Sequence, residues 1–114
     1  MKRKFIYADL NGLSGNRMIV LNPLTFKEII DTYGQAFSGM DLHLWTDDLD
    51  QNKYDPMIYP GKFIFDPNEN SWFIEINPKE IEHHSSSKRY IGYSLEEILG
   101  KRYSTEKESH PEWF

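Results

Sequence analysis

Residues 39–45 read GMDLHLW, residues 46–60 TDDLDQNKYDPMIYP and residues 61–81 GKFIFDPNENSWFIEINPKEI, an acid-rich loop set between segments with the rhythm of β-strands. Met40, Leu42 and Leu44 alternate with Asp41, His43 and Trp45, so a strand sends the aliphatic set to one face and the polar and indole set to the other. Beyond the loop, Gly61-Lys62-Phe63-Ile64-Phe65 and Trp72-Phe73-Ile74-Glu75-Ile76 flank DPNENS, a run of turn residues that suits a hairpin with a longer connection. Phe63 and Phe65 share one face, as do Trp72, Ile74 and Ile76. Trp45, Ile64 and Phe73 then fall opposite the aliphatic set. That second apolar cluster needs a cover from the helices; left uncovered, it is an exposed binding patch. Asn77-Pro78-Lys79-Glu80 is a further turn, and Ile81 opens a short extended or 3₁₀ segment ending in HHSSS.

Upstream, Phe5 to Leu10 and Arg17 to Leu21 are short apolar runs separated by NGLSGN, whose Gly and Asn residues form turns. They predict a hairpin or two strands joined by a longer loop, stopped at Asn22-Pro23 because Pro23 has no N–H. LTFKEIIDTYG follows. Thr25 and Glu28 have capping-box spacing, Leu24 and Ile29 sit at the staple positions, and Phe26, Ile29, Ile30 and Tyr33 form one apolar stripe before Gly34. A helix over residues 25–33 is predicted. Near the end, Ser94 with Glu97, Tyr93 with Ile98, and Gly100 repeat the same logic and predict a short helix near residues 95–99. Beyond it, KRYSTEKESHPEWF has no sustained period. Residues 104–114 read as a polar tail whose terminal Trp113 and Phe114 lie in water or dock back on the domain.

The expected fold is one α+β domain over residues 1–103. It has a small, strongly bent antiparallel sheet of the SH3-like or open-barrel kind, with the helix at 25–33 packed on it. A chain of 114 residues buries one core without disulfides, and aromatic residues, 15% of the total, supply much of its area. The absence of Cys removes thiol nucleophiles and zinc ribbons and fits a reducing compartment, with the cytoplasm the simplest reading. After the basic start, the apolar run Phe5-Ile6-Tyr7 is too short for a signal peptide, and no segment reads as a membrane span.

Net charge is −5, and residues 41–82 hold ten Asp/Glu against three Lys/Arg. A field of that sign repels phosphate backbones and favours cationic partners or metal ions, which argues against nucleic acid. Within the loop, Asp48, Asp50, Asn52 and Tyr54 occupy positions 1, 3, 5 and 7 of an EF-hand calcium loop. Lys53 and Tyr59 then break the pattern, standing where it needs Gly and a bidentate Glu. An irregular calcium site from Asp47, Asp48, Asp50 and Asp55 is the alternative, since a divalent ion relieves clustered carboxylates. Among His43, His83, His84 and His110 no pair has helical metal-ligand spacing, and adjacent His83 and His84 point oppositely on an extended chain.

No nucleophile elbow, phosphate loop or HExxH motif is present; Ser85 to Ser87 beside two His residues read as a polar loop. Catalysis is therefore not expected, and an unrecognised small hydrolase ranks third. First comes a protein-binding module without catalytic activity. Trp45, Tyr54 and Phe73 would act as exposed anchors, with Asp47, Asp48, Asp50 and Asp55 steering a basic partner. In composition the chain resembles the small, acidic, cysteine-free bacterial immunity proteins that neutralise basic toxin domains. That resemblance implies an inhibitor without a cofactor.

Overall fold

The computed structural model describes residues 3–20, 23–50 and 53–114, with residues 49 and 50 described by their backbone alone. In chain order the elements are β1 (Ile6–Tyr7), β2 (Leu13–Ser14), β3 (Arg17–Ile19), α1 (Pro23–Tyr33), β4 (Met40–Thr46), β5 (Leu49–Asp50), β6 (Lys53–Tyr54), β7 (Met57–Asp66), β8 (Ser71–Glu75), β9 (Glu82–His83), α2 (Leu95–Leu99) and α3 (Arg102–Ser109). Seven strands form one sheet in the order β1-β4-β7-β8-β3-β2, with β9 also beside β7, while β5 and β6 pair as a separate ribbon. With a radius of gyration of 14.3 Å, close to the ~13 Å of a compact chain this long, the elements make one α+β domain. Among the described residues no helix is long and apolar enough to cross a membrane.

The central ladder follows the alternation at residues 40–46. β4 runs antiparallel to β7 from Met40↔Phe63 to Thr46↔Met57, and β7 turns through residues 67–70 into β8. Two features depart from the sequence-based expectation. The sheet is mixed, because β1 lies parallel to β4, and it is neither closed nor curled, so it is no SH3-like barrel. The cause is the crossover through α1, which carries the chain from β3, beside β8, to β4, beside β1. Of the two arrangements expected for residues 5–10 and 17–21, the hairpin is not formed, and the runs are separate strands beside β4 and β8. β3 instead forms a hairpin with the two-residue β2 about Gly15, whose φ of 62° suits glycine. Leu21 and Asn22, which closed that strand reading, lie outside the described residues.

Helix α1 starts at Pro23, two residues before the expected start. Proline suits a first helical position because that N–H has no intrahelical partner anyway. Thr25 therefore falls within the first turn instead of capping it. Glu28, the other half of the expected box, accepts a hydrogen bond from the Tyr7 N–H at 3.4 Å. Ile29 is fully buried, whereas Ile30, also placed on the stripe, is 48% exposed. Tyr33 does more than pack. Its hydroxyl donates to the Lys4 carbonyl (2.6 Å) and accepts from the His43 N–H (3.2 Å), extending the β1–β4 connection past the last strand pair.

Both faces of the sheet are used. Ile6, Leu42, Leu44, Tyr59, Phe63, Ile74 and Ile76 form a core with Ile29 of α1. On the other face Trp45, Ile58, Tyr90, Ile98 and Leu99 form a second core with Tyr54. Helix α2 has the predicted capping box. Ser94 Oγ accepts from the Glu97 N–H (3.1 Å), Glu97 Oε1 accepts from the Ser94 N–H (3.0 Å), and Gly100 ends the helix. Helix α3 was not predicted; the division at residue 103 falls inside it. It lacks a long apolar stripe; Arg102 pairs with Glu106 at 3.4 Å and lies over the Tyr7 and Trp45 rings, and Tyr103 packs against Phe114.

Gly61 is a tight point of the first core. A Cβ there would come within 2.8 Å of both Ile74 Cγ2 and Leu44 Cδ1, closer than packed carbon atoms approach. We expect Gly61→Ala to lower stability by about 1–3 kcal/mol in chemical denaturation, and Ser94→Ala by about 1 kcal/mol through loss of the box. A wild-type midpoint for Gly61→Ala would show that the two side chains are not held together.

Candidate functional site

The rings chosen from the sequence as anchors are core. Trp45 is 1% exposed, Tyr54 5% and Phe73 5%. The Trp45 ring lies edge-on to Tyr7, and the Arg102 guanidinium sits over both rings. Tyr54 is covered by the chain end: Trp113 stacks on it at 5.0 Å with an interplanar angle of 2°, and Phe114 lies 5.4 Å away. Phe73 is buried differently, under the Arg17 guanidinium, 4.4 Å from its ring centre. The expectation that these three rings stand exposed beside the acids is thus corrected. Covering them leaves more apolar area out of water than a solvent-facing patch would.

The acids of the loop are engaged one by one. Asp47 accepts from the Tyr54 hydroxyl (2.6 Å), Asp48 meets His83 Nε2 (2.5 Å), and Asp55 accepts from the Ser85 N–H (2.9 Å) and hydroxyl. The Asp48 and Asp55 bonds hold the loop to His83 and the 3₁₀ turn at residues 84–86, helped by the His84 N–H on the Pro56 carbonyl. Among the described residues no three His, Asp or Glu side chains converge to hold a metal ion. The Asp50 side chain and Asn52, the other calcium candidates, lie outside the described residues. Nor do the histidines converge. His43 meets the Tyr90 hydroxyl (2.9 Å), His84 the Tyr93 carbonyl (2.7 Å), and His110 stacks on Trp113.

What the sequence reading missed is a charged row on the second sheet face, the face to which it assigned Ile64 and Phe73. Strand register places Asp41 opposite Lys62, Lys62 opposite Glu75, and Glu75 opposite Arg17. Their side chains project from one face as a row of alternating charge across β4, β7, β8 and β3. The row is open to water, with the Asp41 side chain 79% exposed. A parallel row, Ile64, Phe73 and Ile19, lies one step along, and Ile19 is 57% exposed. Beside these rows a cleft of about 430 Å³ opens between β7, β8 and the turn at residues 77–80, with Lys62, Glu75, Asn77 and Arg89 in its wall. The sequence signal was the period-2 alternation of Asp41, Lys62, Glu75 and Arg17 with apolar residues. Only the register could align them.

A second groove, about 480 Å³, lies at the other end of the sheet. Its floor is Arg3, Lys4 and Phe5 with Trp45, and its walls are α1 and the α2–α3 elbow.

Burial of titrating groups sets the pH range of the fold. His43 is pushed below the usual imidazole value by burial and by Arg3 and Arg89, with Asp41 opposing. The unfolded chain therefore binds this proton more readily. Its stabilising contribution is complete above pH ~6.5 and is lost as pH falls from there through the folded value. Burial raises Tyr54, Tyr59 and Tyr90 above the usual phenol value, so their contribution is complete below pH ~10 and lost above it. We expect the melting temperature to fall on both flanks, and His43→Gln to flatten the acid flank alone. An acid flank identical in that variant would assign the loss to other groups.

Comparison of the chain with protein-family models, with curated proteins and with solved structures finds no match.

Proposed function

We propose that the chain is a protein-binding module without catalytic activity, and that its contact surface is the open half of the second sheet face. The observation that carries this is the exposed Ile19 and half-buried Ile64, flanking Phe73 that lies beneath the Arg17 guanidinium, beside the charged row Asp41–Lys62–Glu75–Arg17. Exposed pairs such as Asp41–Lys62 at 3.9 Å contribute only about 0–1 kcal/mol to a fold, so they stay free to exchange partners at an interface. Rigid strands hold both rows at fixed spacing, and such preorganisation reduces the cost of binding. The excess of acid in residues 41–82 favours a partner with a basic surface. An inhibitor of a basic toxin domain is the form of this reading that the composition supports. Against an enzyme, the half-buried His83–Asp48 pair lines neither of the clefts described above.

Immobilised wild-type chain and an Ile19→Asp variant of unchanged melting temperature test this reading. We expect a basic protein to be retained by the wild type and released near 1 M salt, where the Debye length is ~3 Å. We also expect at least about tenfold weaker retention by the variant, the loss of one good anchor. Equal retention by both chains would move the contact off this face.

A further inference from the structure

We propose a second binding site, independent of the open sheet face. The groove lined by residues 3–5, on the open edge just before β1, takes an acidic polypeptide segment in extended conformation.

Three observations meet there. First, β1 ends the strand order, with β4 on one side only. The Ala8 N–H donates to the Trp45 carbonyl, so the alternating backbone of Phe5 and Tyr7 faces away from β4, and of these two Phe5 lines the groove. The Tyr7 N–H meets Glu28, and Phe5 stands at the groove floor. Because α1 packs on one face of the sheet and α2 with α3 on the other, the groove runs where an added strand would lie.

Second, the groove holds an excess of positive charge in a chain of net charge −5. Five of its lining residues are cationic and three are acidic. Asp31 is paired with Lys27 at 2.6 Å, Glu28 is on the Tyr7 N–H, and Glu97 is in the α2 capping box. Arg102 is paired with Glu106 and lies over Tyr7 and Trp45. That leaves Lys4 and Lys101 without a carboxylate partner among the described residues, on opposite sides of the floor, and Arg3 over the Tyr90 ring.

Third, the surface between these cations is partly apolar. The half-buried Phe5 contributes to it, with the buried Trp45 and Leu99 beneath, and Leu24 stands at the rim, 67% exposed. An extended chain presents alternate side chains to opposite sides, so carboxylates at every second position can reach Lys4 and Lys101 while its backbone lies against Phe5.

The test uses the whole chain and a fluorescein-labelled octapeptide of alternating Glu and Thr, read by fluorescence polarisation and by amide chemical shifts. We expect saturable, salt-sensitive binding with shifts centred on residues 3–8. Binding should be at least about tenfold weaker for Lys4→Glu/Lys101→Glu, and equally reduced for a peptide N-methylated at alternate backbone positions, which needs no altered protein. Ile19→Asp should bind the peptide as wild type does, so failure here is separable from failure of the sheet-face reading. The proposal is overturned by absent binding, by equal binding of the double variant or of the N-methylated peptide, or by shifts centred on residues 17–19 and 62–75. Competition by equimolar inorganic phosphate would also overturn it, because the groove would then be a small-anion site.

Discussion

The antiparallel ladder between β4 and β7 decides which side of the sheet every other group occupies. Its register, from Met40↔Phe63 to Thr46↔Met57, sends Leu42 and Leu44 toward α1 and sends Asp41, His43 and Trp45 the other way. A slip of one residue would exchange the two sets and put Asp41 and His43 under α1. Gly61 helps pin this register, because only a residue without Cβ lets Leu44 and Ile74 meet across it. The acidic loop hangs from the far end of the same ladder, and its Asp48 and Asp55 carboxylates then tie it to His83 and Ser85.

The second face is covered unequally. At the β1 end it is buried by rings, where Phe5, Tyr7, Trp45 and Tyr54 lie under Tyr90, Tyr93, the short α2 and the docked chain end. Further along, toward β3, the same face carries exposed charge and an exposed isoleucine. The unequal cover puts the aromatic residues to structural use and leaves the charged row across β4, β7, β8 and β3 open to water. At the sheet edge, Glu28 of α1 meets one outward backbone group of β1. Placing a charge at an edge in this way limits indiscriminate strand addition.

Features governed by neighbouring residues could be read from the sequence. The alternation of Met40 to Trp45, the turn before β8, and the Ser94–Glu97 box are local and appear as expected. Features governed by distant residues could not. Nothing near Phe5 or Arg17 says that the first run pairs with β4 and the second with β8. The loop shows the same division. Alternate positions 48, 50, 52 and 54 imitate a cation loop, yet Tyr54 turns inward because Trp113 stacks on it from the end of the chain. Likewise Asp48 and Asp55 find His83 and Ser85 some thirty residues on. Helix α3 gave no period because end docking and an Arg–Glu pair hold it in place of an apolar stripe. The charged row was present in the sequence as single residues and became a row only through register.

Hydroxyl-radical footprinting of the free chain, resolved by residue, tests this division of the aromatic and apolar side chains most directly. Protection of Trp45 and Tyr54, together with rapid modification of Ile19, is the predicted result. Rapid modification of Trp45 and Tyr54 would contradict it and restore the rings of the acidic segment as the exposed surface.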